Sequence, residues 1–429
     1  MEVIGIIMFL VIFILILWGY PVALTLAGVA TIFGLIFVPD FLDLLPLRIM
    51  GVMQNYVLIA VPLFIFMGLM LEKSGLAESL LETMAKLFGR VRGGLAVSVV
   101  IVGALLAAST GIVGATVITM GLISLPTMLK QKYSPKLATG VIASSGTLGQ
   151  IIPPSIVLIL LGSVLNVSVG DMFSAALLPG LLLVGIYIAY ILIMARLYPD
   201  IAPQPEKKDD EVDGMLILDV VKAFLMPLLL ILAVLGSIFT GIASPTEAAA
   251  VGALGAVILA AINGKFKWSH LKDVAVNTTH LTSMVFLILL GATTFALVFK
   301  GLGGDDYLTK LITSGNLSPM AFLLLVMVVV FIAGFFIDFI EIIFIIVPVV
   351  APIFIAMKMD LIWIGILLAL NLQTSFLSPP FGFALFYLKG VAPPEIKTEH
   401  IYRGIVPFLV LQILVLLLVL MWPGFIYLV

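Results

Sequence analysis

The chain contains no cysteine, only three histidines, and few charges: 10% of its 429 residues are Asp, Glu, Lys or Arg. Each scarcity removes a kind of chemistry. Without cysteine there is no disulfide framework and no thiolate to attack a substrate or hold a metal. His270, His280 and His400 stand far apart in sequence, near expected loops or helix ends, with no metal-ligand spacing between them. No Gly-rich phosphate loop, nucleophile–base constellation or basic run is present, so the sequence offers no support for ATP hydrolysis, covalent catalysis or nucleic-acid binding. The net charge of -2 points to no class of partner.

What is abundant is hydrocarbon. Hydrophobic residues make up 63% of the chain, and soluble domains carry about 25% charged residues, well over twice the share found here. This is the composition of a polytopic membrane protein, its solvent the lipid bilayer. The N-terminus opens a hydrophobic helix without a basic region or small-residue cleavage site, so no cleavable signal peptide is expected.

The first apolar segments read as helices over Val3–Trp18 and from Pro21 to about Val38. A turn region with Asp40, Asp43 and Arg48 follows, then a spanning helix from Tyr56 to Leu71 and an amphipathic interfacial helix over Ala77–Phe88. The stretch at about 94–129 is apolar throughout but is interrupted by Ser109, Thr110, Gly111, Gly114 and Thr116. A span needs about 20 residues at ~1.5 Å each, so the stretch is one very long helix or two short ones. Arg90 and Arg92 before it, and Lys130, Lys132 and Lys136 after it, place both ends on the cytoplasmic side. The segment therefore turns back as a re-entrant hairpin with its tip near Ser109–Gly114. A broken helix at about 137–165, interrupted around Ser144–Pro154, then crosses outward, and Phe173–Ala195 returns.

A polar stretch at 199–214, containing QPEKKDDEVDG, reads as a cytoplasmic linker between a first unit (1–198) and a second (215–429). After it the pattern restarts. Leu216–Phe239 matches the first helix, SPTEAAAVGALGAV from Ser244 matches GYPVALTLAGVATI from Gly19, and His280–Phe299 matches the helix at Tyr56. A second hairpin at about 319–357 and a second broken helix at about 361–388 follow, with Pro379–Pro380 answering Pro153–Pro154. Threading the segments in order leaves only Arg48, Lys300, Lys310 and Lys358, of 21 Lys and Arg, away from cytoplasmic loops or their margins. Gln204 and Lys208 are then cytoplasmic, and Gly303 and Asp305 external. The two units have inverted topology, the architecture of secondary transporters that bind at the midplane between repeats.

The polar residues cluster at the interruptions. Ser109, Thr110, Ser144, Ser145, Thr147, Asn371, Gln373, Thr374, Ser375 and Ser378 offer neutral oxygens beside glycines, a set suited to hard cations. Small residues also serve close helix packing, and hydroxyls bond back to their own helix; two helix breaks at matching places go beyond what packing needs. Asp338 and Glu341 lie three apart on one helical face in a run otherwise free of charge. They are a functional pair, a protonated carboxyl, or a cap for the hairpin tip. Glu247, after Ser244, reads as a capping residue. With no cationic side chain in the broken helices, an anionic substrate would be held by half-helix N-termini and hydroxyl or amide donors. A channel and an intramembrane enzyme are the rival classes. The first needs a continuous polar path, whereas polarity here is confined to two clusters; the second has only Asp338 with Glu341 to work with.

The STG-type tip at Ser109–Gly111, GTLGQIIPPS at Gly146–Ser155, SPTEAAA at Ser244–Ala250, the hairpin acid Asp338 and SPPFG at Ser378–Gly382 resemble the large membrane subunit of tripartite ATP-independent periplasmic (TRAP) transporters. The resemblance extends over essentially the whole chain. It implies an all-α elevator-type transporter, in which a mobile domain with both hairpins and both broken helices moves against a scaffold. It further implies no cofactor, Na+ as coupling ion, a small four-helix membrane subunit, a periplasmic substrate-binding protein, the bacterial inner membrane, and an organic acid such as a sialic acid or a C4-dicarboxylate as substrate. A stand-alone transporter without a binding protein is the nearest rival. On this footing Ser109, Ser145, Gly146 and Thr147 are expected at one Na+ site and Gly334, Asn371 and Thr374 at a second. Thr110, Gly111, Gln150, Asp338, Gln373 and Ser375 are expected in the substrate and hairpin region.

Overall fold

The computed structural model describes residues 2–75, 79–81, 83, 84, 88, 91–203, 214–307, 310 and 317–428. Half of the expected interfacial helix at 77–88, positions 204–213 of the expected linker, and the side chains of Ser109 and Thr110 lie outside what is described. Among the described residues every regular element is helical. The first repeat comprises α1 (Glu2–Leu17), α2 (Val22–Phe37), α3 (Pro39–Leu42), α4 (Leu45–Met53), α5 (Ala60–Lys73), α6 (Gly94–Thr110), α7 (Val113–Lys130), α8 (Pro135–Thr147), α9 (Ile156–Leu165) and α10 (Val169–Leu197). The second comprises α11 (Gly214–Phe239), α12 (Pro245–Ile262), α13 (Trp268–Gly301), α14 (Pro319–Ala333), α15 (Phe339–Ile345), α16 (Val347–Ala356), α17 (Leu361–Leu377), α18 (Phe383–Val391) and α19 (Thr398–Met421). Six described helices are long and apolar enough to cross a membrane, α5 only together with the 3-10 turn Tyr56–Ile59 that leads into it, and α15 with α16 reaches that length as a pair bent by 49°, the shape of a broken span or a re-entrant arm.

Local chemistry explains where these helices start. Ser244 caps α12 in a reciprocal box, accepting from the Glu247 amide at 3.3 Å while the Glu247 carboxylate accepts from the Ser244 amide at 2.7 Å. Ser168, Ser318 and Asp360 cap α10, α14 and α17 through their side chains. Two boundaries differ from expectation. The turn region after α2 holds two short helices, because Pro39 and Pro46 stand in their first turns, where a missing amide hydrogen costs nothing. Helix α13 starts at Trp268, well before His280, because no proline or glycine interrupts the polar stretch that precedes the apolar one.

The helices sort into two sets. An outer set pairs α2 with α13 and α12 with α5, so each repeat packs its second helix on the other repeat's third. Both contacts depend on glycine: a Cβ at Gly291 would stand 2.6 Å from the Ala23 carbonyl oxygen, and one at Gly252 would stand 2.6 Å from the Met67 sulfur. The inner set, α6–α10 with α14–α19, repeats the exchange. The second arm of the first hairpin, α7, packs on α18, and the second arm of the second hairpin, α15–α16, packs on α9. Likewise α19 packs on α8 and α10 packs on α17. Reciprocal exchange of partners is the packing signature of an inverted duplication. The sets meet where α5 touches α6 and α9 and where α13 touches α15.

Candidate functional site

Both breaks lie inside the inner set and are built alike. In the first, α8 tightens into a single 3-10 turn at Leu148–Gln150, runs without helix through the cis Pro153–Pro154 bond, and resumes at Ile156. In the second, α17 ends at Leu377, passes the cis Pro379–Pro380 bond, and resumes at Phe383. Ser155 at the first break donates to the Gln150 carbonyl at 2.9 Å, and Ser378 at the second donates to the Thr374 carbonyl at 2.8 Å, so a serine hydroxyl satisfies a carbonyl freed by each interruption.

Each break is held against the first arm of its own hairpin through small residues one turn apart. Superposing the proline pairs puts Ser145 opposite Asn371 and Gly149 opposite Ser375. Ser145 presses on Gly103 of α6, where a Cβ would stand 2.6 Å from that of Ser145, and Gly149 presses on the Ala107 carbonyl. In the other copy the Asn371 amide donates to the Met327 carbonyl of α14 at 2.7 Å, and the Ser375 hydroxyl donates to the Phe331 carbonyl at 2.7 Å. The first copy thus seats its break by close approach, the second by hydrogen bonds added to one close approach, that of Ser375 to Gly334.

The hairpin tips differ in the same sense. Between α6 and α7 the chain turns on Gly111, at φ +61, the left-handed region in which a side chain is strained. Between α14 and α15 it turns on Asp338, which caps α15: its Oδ1 accepts from the Phe339 amide at 2.7 Å, and Glu341 reaches back to the Asp338 amide at 3.2 Å. Phe335 and Phe336 of this tip lie on Phe381 of the second break, with ring centroids 6.1 and 5.6 Å apart.

Ser145, Gly146 and Thr147 are buried at the end of α8, with Gly146 against Val117 of α7; the Ser145 hydroxyl donates to the Ile142 carbonyl and that of Thr147 to the Ser144 carbonyl. Asn371 and Thr374 are buried on α17, Thr374 donating to the Leu370 carbonyl, while Gly334 meets Ser375 rather than either of them. Gly111 lies on Ile156, joining the first tip to the far side of the first break. Gln150 and Gln373 are wholly buried, and neither side-chain atom of either has a hydrogen-bond partner among the described residues. Helix α17 contacts both α8 and the Leu148–Gln150 turn, so the two glutamines belong to facing elements.

Two positions were missed in the sequence. Gly103 is one of several small residues in an apolar helix, and nothing marks it until Ser145 is packed on it. Gln412, in LVLQILV, carried a readable signal, a lone amide in a long apolar run. It is wholly buried, accepts from the Tyr187 hydroxyl at 3.0 Å and donates to the Leu370 carbonyl at 3.4 Å, tying α10, α17 and α19 together.

Inverted repeats, re-entrant hairpins and breaks facing one another define a membrane transporter of the inverted-repeat class. The family profile described as the DctM component of the tripartite ATP-independent periplasmic transporter matches residues 9–425, and the chain belongs to that family. It is 32% identical to the C4-dicarboxylate TRAP transporter large permease protein DctM of Pseudomonas aeruginosa over 403 residues, covering 94% of this chain and 92% of that one. The sialic acid TRAP transporter large permease protein SiaM of Vibrio cholerae is 27% identical, covering 95% and 94%. The ectoine TRAP transporter large permease protein TeaC of Halomonas elongata is 29% identical, covering 95% of both. In fold the chain is similar to the crystal structure of the Alcanivorax borkumensis YdaH transporter, with TM-score 0.64, 15% identity, and coverage of 94% and 97%.

Proposed function

We propose that this chain is the large permease subunit of a Na+-coupled importer of a small organic acid, of the C4-dicarboxylate or sialic acid class, in the bacterial inner membrane. A small four-helix membrane subunit and a periplasmic substrate-binding protein complete the system. The observation that carries this reading is the pair of buried breaks, each seated on its own hairpin, in a chain of the DctM family. Relatives named for C4-dicarboxylates, sialic acid and ectoine indicate that substrates differ within the family while the architecture is kept.

In this reading the inner set is the mobile body and the outer set the scaffold, in an elevator cycle. The outer set's α2–α13 and α12–α5 pairs are anchored by glycine contacts, whereas among the described residues the side-chain hydrogen bonds that join the sets are those of Thr119 with Glu72 and Asn55 with Ser163. Coupling ions bind at the breaks, one near Ser109, Ser145, Gly146 and Thr147 and one near Gly334, Asn371 and Thr374. Ligation there combines hydroxyl with carbonyl oxygens, and the hydroxyls that donate to backbone keep lone pairs free for a cation. Gln204 and Lys208 face the cytoplasm, and Gly303 and Asp305 the outside. The test is uptake into proteoliposomes holding this chain with its small subunit, with loaded binding protein outside. An inward Na+ gradient is expected to drive accumulation, and equal uptake with K+ in place of all Na+ would refute the coupling.

A further inference from the structure

The polar side chains at the breaks divide sharply by whether the protein satisfies them. Ser144, Ser145, Thr147, Ser155, Thr374 and Ser378 donate to carbonyls of their own segments, and Asn371 and Ser375 to carbonyls of α14. Gln150 and Gln373 do not share this. Both are 0% exposed, and the Nε2 and Oε1 of each are without a partner among the described residues. A buried amide left unpaired on both sides is costly, which points to a bound molecule, ion or water that completes it. One glutamine comes from each repeat, and the elements carrying them touch.

A carboxamide has two kinds of demand. Its Nε2 must donate and its Oε1 must accept. A carboxylate has acceptors alone, so an unsubstituted acid can satisfy both Nε2 groups and leave both Oε1 atoms orphaned. An acid with a hydroxyl or N–H group beside its carboxylate satisfies both kinds. No Lys or Arg occurs within α6, α9, α14, α15, α16 or α17 to neutralise an acid instead.

We propose that Gln150 and Gln373 are direct substrate ligands and that they select, within the organic-acid class, for molecules carrying a hydrogen-bond donor next to the carboxylate. This rests on the transporter reading above and deepens it. A site built to bond a hydroxyl discriminates against the analogue lacking it, here by at least about tenfold. The rival satisfier of Oε1 is the coupling cation itself.

The test is thermal unfolding of the purified full chain in Na+ buffer, titrated with matched probes: propanoate against 2-hydroxypropanoate, and butanedioate against 2-hydroxybutanedioate. The hydroxylated member of a pair is expected to stabilise at a concentration at least about tenfold lower. Gln150→Leu and Gln373→Leu are expected to abolish that preference and, having lost an orphaned amide, to melt no lower than the parent without ligand. Equal stabilisation by both members, as expected if Na+ occupies Oε1, overturns the proposal, as does the absence of stabilisation by any probe. A preference that survives in both leucine variants, or a lowered ligand-free melting temperature in both, overturns it too. The comparison of probes on the unaltered chain needs no variant to fold. Na+-driven uptake that persists with its preference unchanged in the variants would sink this proposal while leaving the transporter reading intact.

Discussion

The two halves of the inner set solve one mechanical problem with different materials. Each must hold a broken helix against a re-entrant hairpin in hydrocarbon, where freed backbone groups have no water to turn to. The first half uses absence of side chain: Gly103 and Gly149 admit close approach, and Gly111 turns the tip. The second uses side chains: Asn371 and Ser375 bond to α14, Asp338 and Glu341 cap the tip, and phenylalanines cover it. Close approach tolerates no added atom, whereas a hydrogen-bonded seat tolerates an isosteric exchange. The halves should therefore respond differently to mutation.

The largest contrast is expected where each broken helix crosses the last helix of the opposite repeat. A Cβ at Gly140 of α8 would run into the Gly404 carbonyl of α19, and a backbone cannot swing aside. The corresponding crossing of α17 with α10 sets Gly365 against the end of Met172, whose Cε would lie 2.6 Å from the new atom but can rotate. Gly140→Ala is expected to destabilise by about 1–3 kcal/mol or more. Gly365→Ala should stay below about 1 kcal/mol, as flexible side chains repack. Unfolding temperatures of the purified variants measure both, and equal losses would remove the distinction between backbone and side-chain crossings.

This contrast also marks where sequence reading stops. The hairpins, the breaks and the duplication were legible because Gly and Pro are punctuation in an apolar text, and Pro153–Pro154 and Pro379–Pro380 stand at matching points. The Ser244–Glu247 box was legible because capping is local. The bend at Ile346 was not anticipated, although Pro348 in the first turn of α16 deprives the preceding turn of a donor. The exchange of partners between repeats was out of reach, since an apolar helix presents much the same hydrophobicity on every side. Of the polar residues expected at the site, Ser145, Thr147, Gln150, Asn371, Gln373, Thr374 and Ser375 are buried, whereas Asp338 is half-buried. Which of them the protein satisfies, and which it leaves open, depends on carbonyls dozens of residues away, such as those of Met327 and Phe331.

An intermediate effect is expected at the second tip, which unlike the first depends on a carboxylate. Asp338→Ala removes a helix cap, worth about 1 kcal/mol, and should lose transport as the tip loosens. Asp338→Asn keeps an oxygen for the Phe339 amide and should retain most of both, because asparagine caps about as well as aspartate. Transport assays paired with melting curves separate the two roles. An Asp338→Asn protein of normal stability that does not transport would show that the charge, rather than the cap, is what the hairpin needs.

The smallest effect is expected between the two sets. Thr119 of α7 donates to the Glu72 carboxylate of α5 at 2.8 Å, and the Asn55 amide bonds Ser163 of α9 at 3.3 Å. If the inner set slides against the outer, these contacts belong to one end of the motion and must break at the other, so removing them shifts the balance between states. Thr119→Val deletes the hydroxyl without changing the shape of the side chain. One hydrogen bond contributes about 0.5–1.5 kcal/mol, enough to change the population ratio about two- to tenfold. Transport rate under an imposed Na+ gradient should change by a factor in that range, and Glu72→Gln, which keeps an acceptor, should change it less. In the combined Thr119→Val, Glu72→Ala variant the effects should be less than additive, because the partners share one contact. Fully additive rates, or a Thr119→Val protein altered in stability alone, would mean that the contact is a fixture of the fold and that the sets do not part there.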